Sequence, residues 1–173
     1  VMIYGCTSGT AAIGETEVNA KIQAAQPGIP CTNPIAAASA ALQAFGARKI
    51  SVLTPYTDSV NIELAERFRE RGFQILNIDG FVIEDDIEMT RLPLVAISEG
   101  AMQVCDPNAD ALFISCTAIR AAAVAQDLES RLKKPVITSN QALAWHCLRL
   151  LNDDFSVSGY GSLFELGPNG SPL

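Results

Sequence analysis

Short apolar segments alternate with segments of helical character along nearly the whole chain, and this alternation restricts the fold most strongly. The segments that we predict as strands are 1–5, 31–32, 49–54, 73–78, 111–115 and 135–138. The predicted helices lie at about 10–25, 34–45, 58–71, 94–105, 118–132 and 142–151. Strands joined through helices run parallel, because each crossover returns the chain to the same end of the sheet. The sequence therefore predicts an α/β protein with helices layered on parallel sheets.

The predicted strands divide into two groups, which indicates two sheets. Residues 46–138 supply four strands, enough for a complete small α/β domain. Residues 1–45 supply two strands and a crossover helix, and we expect them to be the remnant of a first α/β domain. A parallel strand as apolar as 1–5 needs neighbours on both sides, so we expect further βα units upstream of it. The Gly-, Ser- and Pro-rich residues 152–173 are predicted to form an irregular tail.

The charge balance excludes several classes of partner. The chain has 12 basic and 19 acidic residues, a formal net charge of −7, and no basic run. The chain therefore lacks the clustered basic residues that bind a nucleic acid by releasing its counterions. An anionic membrane surface would repel the protein. No apolar run approaches the ~20 residues that span a bilayer, and no signal peptide is visible. We predict a cytoplasmic protein with neither a nucleic-acid nor a membrane partner, and leave a homo-oligomer open.

Five cysteines without a Cys-x-x-Cys pair argue against a complete disulfide framework and against a structural zinc site. Free thiols are typical of a reducing compartment. The acidic segment 84–88 has the carboxylates that a metal ion needs, but a solvated loop is the preferred interpretation. No glycine-rich nucleotide-binding pattern is present. We therefore expect neither a metal nor an organic cofactor.

Two cysteines occupy equivalent places, Cys6 after the strand 1–5 and Cys116 after the strand 111–115. Each is predicted to precede a helix, where unpaired backbone N–H groups and the helix dipole lower a thiol pKa. The same N–H groups can bind a carboxylate. We therefore predict that Cys6 and Cys116 face each other across an anion-binding cleft. The alternative is that both are ordinary buried cysteines.

Hydroxyl groups accompany the two thiols. Thr7, Ser8 and Thr117 directly follow the cysteines and are candidates both for substrate binding and for helix N-capping. Tyr56 follows the strand 49–54 at the same edge of the sheet, where its hydroxyl could donate to a bound carboxylate. A half-buried loop tyrosine is the alternative interpretation.

The remaining polar and thiol side chains are given structural interpretations. Arg120 is assigned to a surface ion pair in preference to substrate binding. His146, the only histidine, has no acidic residue at helical spacing and is interpreted as structural. Cys31, Cys105 and Cys147 fit the apolar faces of their elements.

Three motifs of this sequence resemble one enzyme family. They are Tyr4-Gly-Cys-Thr-Ser-Gly-Thr10, Leu53-Thr-Pro-Tyr56 and Ile114-Ser-Cys-Thr-Ala-Ile-Arg120. They resemble the arylmalonate decarboxylase and maleate cis–trans isomerase branch of the aspartate/glutamate racemase superfamily. Within it, residues 138–146 are most similar to the ectoine-utilisation proteins. The resemblance implies two similar α/β domains with the active site between them, a helix at 139–151 that returns to the first domain, and catalysis without metal or cofactor.

The same resemblance implies roles for the residues singled out above. Cys6 takes the place of the first catalytic thiol and Cys116 that of the second. The positions that bind the substrate carboxylate match Thr7, Ser8, Tyr56 and Thr117. Related maleate isomerases have an asparagine where this sequence has the acidic residues 84–86, which argues against maleate as substrate. Related decarboxylases have glycine at the place of Cys6, which argues against a plain decarboxylase.

These observations favour a racemase or isomerase that acts next to the carboxylate of a small carboxylic or amino acid. The resemblance adds a role in ectoine catabolism. Two alternatives stay open: a decarboxylase in which Cys116 donates a proton, and a non-catalytic protein that binds small carboxylates.

Overall fold

The computed structural model describes residues 1–167 and 169–172. Its strands are β1 (Met2–Ile3), β2 (Cys31–Thr32), β3 (Lys49–Thr54), β4 (Gln74–Gly80), β5 (Ala111–Ile114) and β6 (Val136–Thr138). Its α-helices are α1 (Thr7–Ile13), α2 (Glu15–Ala25), α3 (Pro34–Ala44), α4 (Asp58–Glu70), α5 (Asp86–Thr90), α6 (Leu94–Val104), α7 (Ala125–Leu132) and α8 (Ser139–Leu150), and short 3-10 helices lie at Ala121–Val124 and Ser162–Glu165. All pairings among these strands are parallel, which confirms the predicted α/β fold.

The larger sheet has the strand order β4-β3-β5-β6. Its inner strands β3 and β5 are almost entirely buried, and Phe113 of β5 packs against Phe68 of α4 with ring centroids 5.2 Å apart. The amide of Ser115 donates to the carbonyl of Leu53 at 2.8 Å, so the carboxyl ends of β5 and β3 lie side by side. The four strands predicted for this sheet are confirmed, with ends that differ by at most two residues.

A separate, smaller sheet consists of β1 and β2, in which Met2 pairs with Cys31 and Ile3 with Thr32. The side chains of Met2 and Ile3 are 44% and 46% exposed. The prediction of a buried strand over 1–5 is therefore wrong. β1 has only two residues, and within the described chain it has a strand neighbour on one side only.

The first predicted helix, 10–25, is divided into α1 and α2. Gly14 separates them with φ 89° and ψ 139°, a backbone conformation that is open to glycine and strained for other residues. α1 begins at Thr7, earlier than predicted, with Cys6 as its N-cap residue. The early start matters for the site, because it brings the first N–H groups of α1 next to the Cys6 thiol.

The helix predicted at 118–132 begins later than expected. A 3-10 helix occupies Ala121–Val124, and α7 begins only at Ala125. Cys116 has φ 94°, so the chain leaves β5 in a turn that a right-handed helix cannot continue. The prediction that a helix follows Cys116 directly is therefore wrong.

The last helix, α8, begins three residues earlier than predicted. Its cap is Thr138, whose Oγ1 accepts the amide of Gln141 at 3.3 Å, while Ser139 and Asn140 lie in the first turn. α8 packs along the alanine-rich α3, and it also contacts β2 and β6. The division of the chain into 1–45, 46–138 and 139–151 stays a prediction.

Part of the predicted tail, residues 162–166, packs against the rest of the protein. Leu163 and Phe164 are buried, and the indole N–H of Trp145 donates to the carbonyl of Leu166 at 2.7 Å. The carboxylate of Glu129 accepts the amide of Ser162 at 2.8 Å. Apolar burial and hydrogen bonds therefore attach residues 162–166 to α7 and α8, and the prediction of an irregular tail stays a prediction.

None of the described helices is both long and apolar enough to cross a membrane.

Candidate active site

A pocket of about 400 Å³ opens between the turn that joins β1 to α1 and the carboxyl ends of β3 and β5. All six residues predicted for the site lie on its walls. The lining consists of Gly5, Cys6, Thr7, Ser8, Tyr56, Asp86, Ile87, Thr90, Cys116, Thr117 and Ala118. The two thiols thus share one cavity, as the sequence predicts, although their residues are 110 positions apart in the chain.

Cys6 lies on the exposed rim of this pocket and caps α1. Its Sγ accepts the amide of Gly9 at 3.3 Å and lies 3.6 Å from Oγ of Ser8. A Cβ at Gly9 would lie 2.6 Å from the Tyr4 hydroxyl and 3.1 Å from the Cys6 Sγ, so a larger residue would displace one of these side chains. The Tyr4-Gly-Cys-Thr-Ser-Gly motif therefore shapes a turn that holds a thiol against the start of a helix.

Cys116 is buried and lines the same pocket. Its Sγ accepts the amide of Ala118 at 3.3 Å and lies 3.9 Å from Sδ of Met89. Burial raises the pKa of the Cys116 thiol, and the negative charge of Asp86 adds to the rise, against the lowering effect of the Ala118 amide. The sequence predicted a lowered pKa here. That prediction is wrong for Cys116, because desolvation outweighs the few N–H groups of a turn that does not lead directly into a helix.

Hydrogen bonds tie the two cysteine turns together. The Thr117 hydroxyl donates to the carbonyl of Gly5 at 2.8 Å, and the amide of Cys116 donates to Oγ of Ser139 at 3.1 Å. Ser139 Oγ lies 3.3 Å from Oγ1 of Thr7, so one buried hydroxyl connects the turns that carry both thiols. Hydrogen bonds between distant parts of the chain therefore fix how the two turns that line the pocket lie relative to each other.

Ser139 is a residue of the site that the sequence analysis missed. A signal for it was present: Ser139 directly follows β6, and the end of β6 lies beside the end of β5 at the same edge of the sheet. A hydroxyl at that position lies next to the residues that follow β5, and these residues form the turn that carries Cys116.

Tyr56 is buried beside the second thiol. Its pKa is raised well above the ordinary value, chiefly by burial and further by the charge that Cys116 carries when ionised. The phenol therefore keeps its proton and can act as a hydrogen-bond donor at any physiological pH. The backbone amide of Tyr56 donates to Oγ1 of Thr54 at 3.1 Å, which fixes the turn after β3.

The acidic segment 84–88 forms one wall of the pocket through α5, and is not only a solvated loop as predicted. Asp85 caps the helix by accepting the amide of Glu88 at 2.9 Å, whereas Asp86 lines the pocket. Within the described chain no three His, Cys, Asp or Glu side chains are grouped as metal ligands. The pocket itself offers thiols, hydroxyls, backbone N–H groups and the Asp86 carboxylate.

The side chains with structural interpretations lie away from this lining. His146 Nδ1 is 2.8 Å from Oγ1 of Thr32, and burial lowers the pKa of the ring. Arg120 is exposed. Cys31 Sγ donates to Oδ1 of Asn19 at 3.4 Å in a partly buried contact. A Cys–His pair is therefore not formed around this cavity.

Comparison with known proteins identifies the family to which most of the chain is similar. A family model described as arylmalonate decarboxylase matches residues 11–164. The chain is 31% identical over 144 residues to an arylmalonate decarboxylase from Bordetella bronchiseptica, and the match covers 80% of this chain. The chain spans 59% of the length of that decarboxylase.

Two solved structures show the same fold. A crystal structure of arylmalonate decarboxylase has a TM-score of 0.82 at 27% identity, over 94% of this chain and 73% of the other. A maleate cis–trans isomerase variant from Nocardia farcinica with a covalently bound succinylcysteine intermediate has a TM-score of 0.87 at 20% identity, over 95% of this chain and 70% of the other.

Proposed function

This chain belongs to the arylmalonate decarboxylase and maleate isomerase family of the aspartate/glutamate racemase superfamily, and on that premise we propose that it is a racemase or isomerase. The proposed reaction takes place next to the carboxylate of a small carboxylic or amino acid and uses no cofactor. The observation that carries the proposal is that Cys6 and Cys116 line one pocket from opposite turns.

The carboxylate is proposed to bind at the start of α1. The amides of Thr7 and Ser8 belong to the first helical turn, whose N–H groups have no acceptor within their own helix. The Thr7 and Thr117 hydroxyls already have protein partners, Ser139 Oγ and the Gly5 carbonyl. We assign the backbone N–H groups and the hydroxyls of Thr7, Ser8, Tyr56 and Thr117 to the substrate carboxylate. The two threonine hydroxyls also hold the turns in place.

In the racemase form of the proposal, the two thiols exchange one proton through the α-carbon. Cys6 as thiolate removes the α-proton, and the electron pair of the broken C–H bond moves into the carboxylate. The N–H and O–H donors stabilise this charge. Cys116 then donates its S–H proton to the opposite face of the carbon, which leaves Cys6 as thiol and Cys116 as thiolate. Burial favours the protonated form of Cys116, which suits it as the donor.

In the isomerase form, a thiolate adds to a carbon–carbon double bond. As the C–S bond forms, the electron pair of the double bond moves into the adjacent carboxylate and leaves a single bond, about which the chain rotates. The pair then returns to form the double bond again, and the sulfur leaves as thiolate. The Nocardia isomerase, in which a succinylcysteine has been trapped, is a precedent for such an adduct in a protein of the same fold.

A decarboxylase is the second candidate, and the description of the matching family and the identity to the Bordetella enzyme favour it. In that reaction the C–C bond to one carboxylate breaks, CO₂ leaves, and Cys116 protonates the remaining carbanion. Cys6 would have no necessary part. A non-catalytic carboxylate-binding protein is the third candidate. The similarity of residues 138–146 to ectoine-utilisation proteins supports a role in ectoine catabolism as a finer proposal.

Solvent isotope exchange with cysteine variants separates these candidates. The wild-type chain, Cys6→Ser and Cys116→Ser are incubated in D₂O with aspartate, maleate and phenylmalonate, and α-deuterium, fumarate and CO₂ are measured. Racemisation or isomerisation requires both thiols and releases no CO₂. Decarboxylation survives in Cys6→Ser and is lost in Cys116→Ser. Cys105→Ser, a thiol outside the pocket, is the matched control. No turnover together with saturable binding would favour the non-catalytic protein.

A further inference from the structure

A buried hydroxyl beside the second thiol has no partner. Ser115 directly follows β5 and precedes Cys116, and it has no exposed surface. Its Oγ forms no hydrogen bond with any of the described residues. Buried hydroxyls are nearly always paired in folded proteins, so an unpaired one at the edge of a pocket that contains two thiols calls for an explanation.

The backbone, and not a hydrogen bond of its own, holds this side chain in place. The amide of Ser115 donates to the carbonyl of Leu53 at 2.8 Å, and the amide of Cys116 donates to Oγ of Ser139 at 3.1 Å. The peptide groups on both sides of Ser115 are thus fixed, one to β3 and one to the start of α8. The hydroxyl therefore stays beside the pocket whether or not it is paired.

The phenol of Tyr56 is the polar group that this hydroxyl faces. Burial raises the pKa of Tyr56, and the charge of Cys116 adds to the rise, whereas the hydroxyls of Ser115 and Thr7 lower it. A hydroxyl has this lowering effect when it points its proton at the phenol oxygen. Thr7 has Oγ of Ser139 as a neighbour at 3.3 Å, while Ser115 has no other partner, so the phenol oxygen is the acceptor left for Ser115.

A hydrogen bond from Ser115 determines where the proton of Tyr56 points. A phenol has one proton to donate, and an oxygen that accepts from Ser115 turns this proton away from Ser115. The pocket contains the Cys116 thiol, whose pKa is raised by burial and lowered in part by the Tyr56 hydroxyl. The proton of Tyr56 is thereby presented to the pocket, where the proposed substrate carboxylate can accept it.

We propose that Ser115 is a positioning residue, which donates to the oxygen of Tyr56 and directs the phenol proton to the substrate carboxylate. The hydrogen bond is expected to form as the carboxylate binds, since such bonds are often poorly aligned without substrate and shorten in the complex. This inference rests on the proposed function, because it takes the pocket that Cys6 and Cys116 line as the carboxylate site.

The experiment measures how well small acids protect Cys6 from iodoacetamide. Aspartate, succinate and phenylacetate are the probes, and mass spectrometry gives the concentration of each acid that halves the rate of Cys6 labelling. Ser115→Ala should raise this concentration by about three- to ten-fold for each acid that protects the wild-type protein, because the phenol proton is no longer directed at the carboxylate.

The stability of Ser115→Ala in urea should not fall, because the hydroxyl that it removes has no partner. The matched control is Ser39→Ala, which removes a buried hydroxyl of α3 at a residue outside the pocket lining. It should leave the protection of Cys6 unchanged.

A double-mutant cycle with Tyr56→Phe distinguishes positioning from a general effect on packing. Tyr56→Phe alone should weaken protection at least as much as Ser115→Ala, and the serine change should have no further effect once the phenol hydroxyl is absent. The inference is overturned if Ser115→Ala leaves protection unchanged, if its effect persists without the Tyr56 hydroxyl, or if Tyr56→Phe has no effect. In these cases the two-thiol proposal stands. If no acid protects Cys6 in the wild-type protein, the proposed carboxylate site fails, and the inference fails with it.

Discussion

The buried hydroxyl of Ser139 has two partners that lie in different parts of the sequence. It accepts the amide of Cys116, whose φ of 94° is a strained conformation, and it contacts the hydroxyl of Thr7. Ser139 has no exposed surface, so a lost partner would not be replaced readily by water. At the residue scale, this side chain holds the second thiol in place and sets its position relative to the first.

Ser139→Ala should therefore lower the free energy of unfolding by about 1–3 kcal/mol, the range for a buried amide that loses its acceptor. It should also speed the alkylation of Cys116, because the turn is released. Urea unfolding and mass spectrometry of the labelled thiols measure the two effects. Ser130→Ala, which removes an exposed hydroxyl bonded within α7, is the control and should change neither. Equal effects of the two variants would contradict the role given to Ser139.

The raised pKa of Cys116 predicts a pH dependence. Since the thiolate is the reactive form, alkylation of Cys116 should reach half its limiting rate at a pH above about 8.5, the value for an ordinary thiol. The unfolded chain releases this proton first, so the free energy of unfolding should fall as the pH rises above about 8.5.

Asp86→Asn should move the Cys116 alkylation profile to lower pH, because one cause of the raised pKa is removed. Cys116→Ser should flatten the alkaline fall in stability. A wild-type profile centred at or below pH ~8.5 would show that burial does not control this thiol.

At the scale of elements, the segment after α8 acts as part of the core. The 3-10 helix Ser162–Glu165 places Leu163, which has no exposed surface, next to α8. Arg149 of α8 donates to the carbonyl of Leu166 at 3.1 Å and also to that of Asp153. α8 carries Ser139 at its start, so the attachment of this segment supports the helix that reaches the pocket.

Leu163→Ala should destabilise the protein by about 2–4 kcal/mol, because it leaves a cavity where a buried leucine packed. The matched control is Leu151→Ala, at a leucine that is 59% exposed, and its effect should stay within about 0.5 kcal/mol. Thermal or urea unfolding measures both. Similar stabilities of the two variants would mean that the segment is only loosely attached.

At the scale of the whole molecule, the net charge of −7 opposes the approach of any anion to the pocket. Local N–H groups at α1 must hold a carboxylate against this field. The repulsion acts over distances comparable with the Debye length, so salt should weaken it.

Alkylation of Cys6 by iodoacetate, an anion, should therefore become several-fold faster between about 0.01 and 0.15 M salt, where the Debye length falls from about 30 to 8 Å. Iodoacetamide, of similar size and neutral, is the control and should show no such change. The ratio of the two rates, measured on Cys6 by mass spectrometry, tests the effect. A ratio independent of salt would indicate that the local N–H groups outweigh the global charge.

The sequence by itself determined the architecture of the larger sheet. Alternating apolar strands and helices sufficed to predict four parallel strands, since such periodicity is a local property of the chain, whereas the order β4-β3-β5-β6 comes from the structure. It also determined that Tyr56, Cys116 and Thr117 lie close together, because residues that follow parallel strands of one sheet meet at its edge. Cys6, Thr7 and Ser8 follow β1 of the smaller sheet, and they reach the same pocket through the packing of the two sheets.

Only the tertiary structure decided the features that depend on distant neighbours. The raised pKa of Cys116 results from burial by several elements, and the bridge through Ser139 joins residues 132 positions apart. The place of Asp86 on the pocket wall and the attachment of the tail to α8 have the same origin. Burial, electrostatic fields and contacts between remote segments depend on the whole packed molecule. A local pattern of residues therefore does not predict them.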